Sequence, residues 1–260
     1  MSRAELRRQL KADSKLVERG LDFARRDGAQ VVALMRVLYD YVRQSVNGKS
    51  IDPLMGFVYS NLSQSSRPFS DAPIACHKGC SHCCHAFVAA TVPEVLHVVK
   101  SIGKNRMPVV RQSVSESFAQ TNGKASGERL AMPVPCPMLT DHVCSVYNSR
   151  PIVCRTGVSG DAKICERSFL HAGSENIPTP FVFMAMRTDY TVALAGALRH
   201  ANLGYHAYEY NSALKLVLDS PGCEADWLSG TNIFADLLRD PIGDQFQIRQ
   251  NQELYEAAFA

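Results

Sequence analysis

The sequence predicts a mainly α-helical fold in which helices lie on both sides of a loop-rich, cysteine-bearing centre. Amphipathic segments with helical spacing precede and follow the stretch from Cys76 to Cys154, and few segments after Cys83 alternate as strands do. The chain has 260 residues, of which 46% are hydrophobic, so it is long enough to bury a full core. We therefore predict one domain over 1–260, with N-terminal helices in 1–72, a cysteine-rich core in 73–160 and C-terminal helices in 161–260.

Three helices are predicted before the cysteines. Residues 1–26 carry apolar side chains at helical spacing and many Lys and Arg residues, which indicates a helix with a basic, solvated outer face. Residues 29–46 give the clearest amphipathic pattern and are predicted to pack on that first helix. A third helix should begin at Asp52-Pro53 and end near Leu62, and the Ser- and Pro-rich residues 63–73 are predicted to form a loop.

Two further helices are predicted between the two groups of cysteines. The first should begin within Thr91-Val92-Pro93-Glu94, because Pro in the first turn and an acidic Glu94 near the positive end of the helix dipole are typical of a helix start. It should end near Ile102. A second amphipathic helix is predicted over 107–120, and the Gly-, Pro- and polar-rich residues 121–135 are predicted to form an exposed link.

The remainder of the chain is also predicted to be helical, after an irregular stretch. That stretch should run from Arg155 to about Pro178. A long helix is then predicted to begin at Thr179-Pro180 and to end before Gly204, and charged residues inside its apolar run exclude a membrane span. One more helix is predicted over 205–219, ended by Ser-Pro-Gly.

The cysteines are unevenly distributed: seven of the nine lie between Cys76 and Cys154. Disulfides, a bound metal, redox catalysis and chance burial are the four explanations for such a cluster. Disulfides suit small secreted chains, whereas this chain is long and its charged first residues show no secretory signal. We therefore expect a reducing, cytoplasmic compartment, and the odd number of cysteines agrees with this expectation.

A bound metal is the explanation that the spacing favours. Thiolates at neighbouring Cys83 and Cys84, about 4 Å apart, would repel by roughly 4 kcal/mol at an effective dielectric near 20, so a metal-free site would stay mostly protonated. A bound cation deprotonates its ligand thiols. If the first segment were helical, four of its cysteines would share one face. The candidate metal ligands are Cys76, Cys80, Cys83, Cys84, Cys136, Cys144 and Cys154.

Seven thiols exceed the four that one structural zinc ion uses. Two metals, or an iron–sulfur cluster with spare thiols, would account for the surplus, and we favour the cluster over zinc because clusters are typically held by cysteine thiolates. A metal held by four thiolates carries negative charge. Arg150 and Arg155 are the candidate cations beside the cofactor that would offset it, with Lys78 as a further candidate.

The order of these residues resembles a known family. CxxxCxxCC, a Cys-Pro pair, a cysteine three residues before a tyrosine and RPxxCR follow one another over about 73–160. This pattern is similar to the bacterial CxxCxxCC zinc- or iron-chelating domain, the YkgJ type, with one departure, the three-residue gap after Cys76. The resemblance implies a metal-chelating site at the matching positions, Cys76, Cys80, Cys83, Cys84, Cys136, Cys144, Tyr147, Arg150, Pro151, Cys154 and Arg155. Flagellin lysine N-methylases have a similar cysteine block, which implies that such a module can serve an enzyme.

Several neighbouring residues allow more than one interpretation. His77, His82, His85 and His142 are interpreted as polar positions between ligands rather than as ligands, because thiols are plentiful. Cys165 is an eighth ligand or a lone thiol, and we slightly favour the lone thiol; Cys223, near the only tryptophan, is predicted to be a core or loop thiol. The spacing CxxxCxxC also occurs in radical-SAM enzymes, but those need a barrel of alternating strands and helices.

Three functional hypotheses remain from the sequence. The first is an iron–sulfur or zinc protein whose metal supports redox or protein-modifying chemistry. The second is a non-catalytic module in which a structural zinc supports the binding of a protein partner, and the third is metal storage or delivery. A formal charge of +3 and a pI of about 8.4 give no strong indication of nucleic-acid binding.

Overall fold

The computed structural model describes residues 28–132, 134–173, 175–239 and 245–260. The fold is mainly α-helical, as predicted. The helix predicted for 1–26 lies outside the described residues. The helices are α1 (Ala29–Gly48), α2 (Asp52–Ser66), α3 (Val92–Ser101), α4 (Met107–Thr121), α5 (Ser126–Leu130), α6 (Ile152–Thr156), α7 (Ala162–Leu170), α8 (Phe181–His200), α9 (Tyr210–Asp219), α10 (Cys223–Leu228) and α11 (Arg249–Phe259). The strands are β1 (Ala89–Thr91), β2 (Leu139–Thr140), β3 (Val143–Cys144) and β4 (Ala207–Glu209).

The main helical contact is between α1 and α8, the two longest helices. The predicted apolar face of α1 is buried through Met35, Leu38 and Val42. Helix α1 also packs on α2 and α11, so its amphipathic pattern has three partners among the described helices. Gly196 of α8 faces Met35, which allows the two helix backbones to approach closely.

A two-stranded antiparallel sheet connects the middle of the chain to its C-terminal part. Strand β1 pairs with β4 in the register Ala89↔Glu209 and Thr91↔Ala207. Each strand leads directly into a helix, β1 into α3 and β4 into α9, and these two helices pack on each other. The sheet also explains why the last predicted helix began too early, since 207–209 pair as a strand before α9 begins.

Three predicted irregular regions contain helices instead. Helix α2 continues to Ser66 and is followed by a short 3-10 helix, and α5 lies in the predicted link. The prediction that the chain is irregular from Arg155 to Pro178 was wrong, because α7 occupies part of it. The Asp161 side chain accepts hydrogen bonds from the N–H groups of Lys163 and Ile164 and so caps α7, a local start signal.

The described residues form one hydrophobic cluster that includes side chains from α1, α2, α3, α8 and α9. The two β-sheets of the described residues are both antiparallel and two-stranded. These residues therefore form no barrel of the radical-SAM type. Across the same residues, every helix is too short or too polar to cross a membrane.

The contact between α1 and α8 gives a test of the core packing. In Gly196→Ala the new Cβ would lie 2.7 Å from Met35 Cε and closer still to Met35 Sδ, so the buried Met35 would have to move. We expect a net loss of about 1 kcal/mol in the free energy of unfolding, since overpacking costs about 1–3 kcal/mol. Urea denaturation measures it.

Gly56→Ala is the matched control for this change. Gly56 lies inside α2 and an added Cβ there meets nothing within 4 Å. This variant should become more stable by about 0.5–1 kcal/mol, because alanine favours the helix and restricts the unfolded chain. Equal effects of the two alanines on stability would contradict the packing described for Gly196.

Candidate metal centre

The first cysteine segment is a series of turns. Gly79 has φ +91°, a left-handed conformation that favours glycine, and the Cys80 N–H donates to the His77 carbonyl at 3.0 Å. A short 3-10 helix, His82–His85, follows. Because the segment is not α-helical, the condition for a shared helical face of cysteines is not met. Turns, not a helix, therefore determine where these thiols lie.

The second segment is held beside the first by backbone hydrogen bonds. The Cys136 N–H donates to the Cys84 carbonyl at 2.7 Å. Cys144 lies in the β2–β3 hairpin, paired with Leu139, and the turn residues of this hairpin have positive φ. Cys154 lies in α6, where its N–H donates to the Pro151 carbonyl at 2.9 Å. The structure therefore brings together cysteines that are far apart in sequence.

Cys83 is at the middle of the assembled thiols. It interacts electrostatically with Cys76 and Cys80 of its own segment. It also interacts with the cysteines of the second segment, Cys136, Cys144 and Cys154. Its remaining neighbour is Cys84, to which it is hydrogen-bonded. The seven cysteines singled out in the sequence thus form one cluster.

The surroundings of the cluster favour protonated thiols in the absence of a cation. Burial, and to a smaller extent neighbouring thiols, raise the pKa of Cys136 and of Cys154 to about 12. Burial also raises the pKa of Cys76, Cys80 and Cys144. For Cys83 the largest cause of its raised pKa is the hydrogen bond with Cys84.

Backbone N–H groups point at four of the sulfurs and favour the opposite, charged state. The Ser159 N–H donates to Cys76 Sγ at 3.3 Å. Cys80, Cys136 and Cys144 each accept a hydrogen bond from the N–H of the residue two positions later. Each of these bonds lowers the pKa of its thiol, because it stabilises the thiolate. Thiolate-stabilising donors of this kind fit sulfurs that bind a metal.

The two predicted cations differ in what they contact. Arg150 interacts electrostatically with Cys76, Cys83, Cys144 and Cys154, and its guanidinium stacks 3.7 Å above the Tyr147 ring. The structure places it beside the thiols.

Arg155 is directed towards the supporting loop. Its guanidinium lies 4.3 Å from the centre of the Tyr59 ring and donates to the carbonyls of Arg150 and Asn148. Tyr59 in turn donates to the Ser149 carbonyl at 3.2 Å. Arg155 therefore stabilises the loop that presents Arg150.

Three further arginines lie near the thiols, and the sequence analysis did not identify them as cations of the site. Arg106 donates to the Ser145 carbonyl at 3.2 Å and interacts electrostatically with Cys144. Arg129 is 3% exposed and interacts with Cys136 and Glu209. Arg187, on α8, interacts with Cys154. They come from segments outside the cysteine motifs, so spacing alone could not indicate them. Lys78 is exposed.

Three of the four histidines near the cysteines form hydrogen bonds with neighbouring protein groups. His77 and His85 each form a bond between Nδ1 and a backbone carbonyl, of Lys78 and Ser81 respectively. His142 Nδ1 pairs with Ser81 Oγ at 3.1 Å. The ring of His82 lies against Phe169.

The two remaining cysteines occupy different places. Cys165, on α7, interacts electrostatically with Cys76 and Cys80, so the structure adds it to the cluster. The slight preference for a lone thiol rested on sequence distance, which α7 removes by bringing Cys165 back to the first segment. Cys223 is buried and belongs to the hydrophobic core with Trp227, as predicted.

The thiols are gathered but not yet arranged as a ligand set. Over the described parts of the chain, no three Cys, His, Asp or Glu side chains are placed so that they could hold a metal ion together. Cysteine thiols move when χ1 changes to another staggered rotamer. The two cysteine segments therefore carry enough thiols to bind a metal, and binding would require rotation of the cysteine side chains about χ1.

These features define a helical protein with a thiol-rich chelating site. Residues 75–168 match the model of the CxxCxxCC family, described as a putative zinc- or iron-chelating domain. The match agrees with the resemblance seen in the cysteine spacing. No curated protein and no solved structure matches the chain.

Glu94 connects the helical layer to the cysteine loop. The residue is 4% exposed, and one carboxylate oxygen accepts hydrogen bonds from the Thr91 N–H and hydroxyl at 2.8 and 2.6 Å. The other accepts from the Ile152 N–H at 2.7 Å, two residues before Cys154. Glu94 thus caps α3 and positions the start of α6. The sequence analysis identified the helix start but neither the capping bonds of Glu94 nor the bond to Ile152.

Replacement of Glu94 should destabilise the protein. Glu94→Ala leaves the buried N–H groups of Thr91 and Ile152 without an acceptor, and each such group costs about 1–3 kcal/mol. We expect a loss in that range or above, measured by urea denaturation of the metal-free protein.

Glu128 provides the control for this experiment. It accepts from the Ala125 N–H in the same capping position, at 2.9 Å, but it is exposed and makes no bond to the cysteine loop. Glu128→Ala should therefore have a much smaller effect than Glu94→Ala. Similar losses for the two variants would mean that the bond from Ile152 contributes nothing.

Proposed function

We propose that this protein binds zinc or iron through thiolates from both cysteine segments. The observation that carries the proposal is the bond from the Cys136 N–H to the Cys84 carbonyl, which holds the segments together beside Cys83. The family match supports chelation, and the N–H groups directed at four sulfurs support thiolate ligands.

The ligands fall into two groups of four in this proposal. Cys76, Cys80 and Cys165 interact with one another, and Cys83 interacts with the first two. Cys136, Cys144 and Cys154 also interact with one another, and Cys84 is bonded to Cys136 through its carbonyl. Two adjacent four-thiolate centres would use eight cysteines, since zinc and iron–sulfur sites are each typically held by four.

The cations have distinct roles in this proposal. Arg150, which faces four of the thiols, offsets the negative charge of the thiolates. Arg155 acts indirectly, through its bonds to the loop that carries Arg150. Together they lower the cost of collecting several thiolates in one place.

Redox chemistry at iron–sulfur centres is the function that we favour, with protein modification as a related possibility. Cys76 and Cys83 are exposed, so the cluster reaches the surface where an electron partner or a substrate has access. An iron–sulfur cluster would supply one-electron chemistry there.

A structural zinc module that binds a protein partner is the second candidate. Cys136 and Cys144 pack against the hydrophobic core, so a metal bound there would hold core segments together. Structural zinc contributes about 10–16 kcal/mol of apparent binding energy at neutral pH, comparable with the net stability of a whole domain.

Anaerobic purification with analysis of iron, zinc and acid-labile sulfide distinguishes the two candidates. A brown protein with stoichiometric iron and sulfide is the expected result for the iron–sulfur function. A colourless protein with about two zinc ions per chain would favour the structural candidate. Protein that contains neither metal and binds neither after reconstitution would end the proposal.

Single Cys→Ser variants test the proposed ligands. Cys165→Ser and Cys144→Ser should each lose about half of the bound metal if there are two centres. Both should also melt at a lower temperature than the wild type, because the metal contributes to stability.

Cys223→Ser is the control, because Cys223 is a free thiol in the apolar core. It should keep the full metal content even if the buried hydroxyl lowers its melting temperature. Full metal content in Cys165→Ser would exclude Cys165 as a ligand and, with it, the two groups of four.

A further inference from the structure

Arg187 presents a charge that its surroundings do not explain. It is half-buried on α8, next to the fully buried Met186, and it lies outside the segment that matches the CxxCxxCC family. Within the described residues no Asp or Glu forms an ion pair with it. A half-buried guanidinium without a carboxylate is costly unless another negative group lies nearby.

The contacts of Arg187 direct it to the helix that carries Cys154. Its Nε donates to Thr156 Oγ1 at 3.2 Å, and Thr156 Oγ1 itself donates to the Ile152 carbonyl at 2.7 Å. Gly157 leaves space here, since a Cβ at that position would lie 3.6 Å from Arg187 Nη2 and 2.7 Å from the Val153 carbonyl oxygen. The guanidinium is therefore fixed against the C-terminal end of α6.

Arg187 interacts electrostatically with Cys154, which lies two residues before Thr156 on α6. As a thiol, Cys154 is neutral and leaves the charge of Arg187 without a partner. As a metal-bound thiolate, it provides that partner. The positive charge of Arg187 is therefore better compensated when Cys154 is a metal-bound thiolate than when it is a neutral thiol.

We propose that Arg187 is a positioning residue that acts through Cys154, where its fixed positive charge stabilises the metal-bound thiolate and so strengthens metal binding. This inference rests on the proposed metal-binding function. It adds a residue from the C-terminal helices to a site that is otherwise built from 76–165.

The test compares metal affinity with the stability of the metal-free protein. Full-length protein is stripped of metal under reducing, anaerobic conditions, and Zn²⁺ binding is measured by competition with a chelator of known affinity. Co²⁺ binding is followed by its thiolate charge-transfer absorption as an independent readout. Arg187→Gln should weaken Zn²⁺ binding by about 10-fold, the lower end of the loss typical for residues that support metal ligands. Arg187→Lys, which keeps the charge, should retain most of the affinity.

Stability separates this role from a purely structural one. Because the charge of Arg187 has no negatively charged partner in the metal-free protein, Arg187→Gln should leave the melting temperature of that form unchanged or raised. Arg187→Met, which keeps the packing of the aliphatic stem, is the second uncharged variant if Arg187→Gln does not fold. In protein purified with an iron–sulfur cluster, loss of this cation should lower the reduction potential, because positive charge favours the reduced state.

Arg199 supplies the matched control on the same helix. It stacks between the rings of Phe246 and Tyr255 and donates to Gln252, with no contact to the thiols. Arg199→Gln should destabilise the fold but keep wild-type affinity for Zn²⁺. Wild-type affinity in Arg187→Gln, or equal losses in Arg187→Gln and Arg187→Lys, would overturn the role of Arg187. Failure of the wild type to bind either Zn²⁺ or Co²⁺ would overturn the proposed function itself.

Discussion

Repulsion between neighbouring thiolates is the constraint on which the site depends. Six thiols of the site have a raised pKa, because burial and neighbouring thiols oppose their ionisation. Backbone N–H groups and arginines favour ionisation of the thiols. The raised pKa values favour protonated thiols in the metal-free protein. A bound metal ion would add the positive charge that the N–H groups and arginines supply only in part.

The fold meets this constraint by attaching the cysteine loops to rigid helices at a few points. Glu94 joins α3 to the start of α6, and the β1–β4 pair joins α3 to α9. Buried Tyr210 at the start of α9 interacts electrostatically with Cys136, Cys144 and Cys154, so α9 also borders the site. Turns alone would leave the loops free to separate and relieve the repulsion. Helices that are packed in the core prevent that separation.

The sequence predicted most of the helices and the cysteine cluster because both have periodic or spaced signals. The apolar face of α1 and the Thr91–Glu94 start of α3 are local patterns, and the CxxxCxxCC block with RPxxCR is a spacing pattern. Other features depend on tertiary contacts that no spacing encodes. Cys165 joins the cluster because α7 returns to the first segment, and the carboxylate of Glu94 reaches Ile152 only after α3 and α6 have packed. Helix α7 itself was missed although Asp161 is an ordinary N-cap residue, because the helix has only nine residues and buries only Ser168.

The C-terminal helices contribute side chains that border the thiols of the chelating segment. The family match ends at 168, yet Arg187 and Tyr210 beside the thiols lie beyond it. A chelating loop needs only its cysteines to bind a metal, but it needs fixed charges to determine how tightly it binds. Those charges must be held by elements that do not move when the metal enters or leaves. Helix α8, packed along α1 with Met186 and Gly196 in the core, provides such a support for Arg187, and this gives the long helix a role in the site beyond that of filling the core.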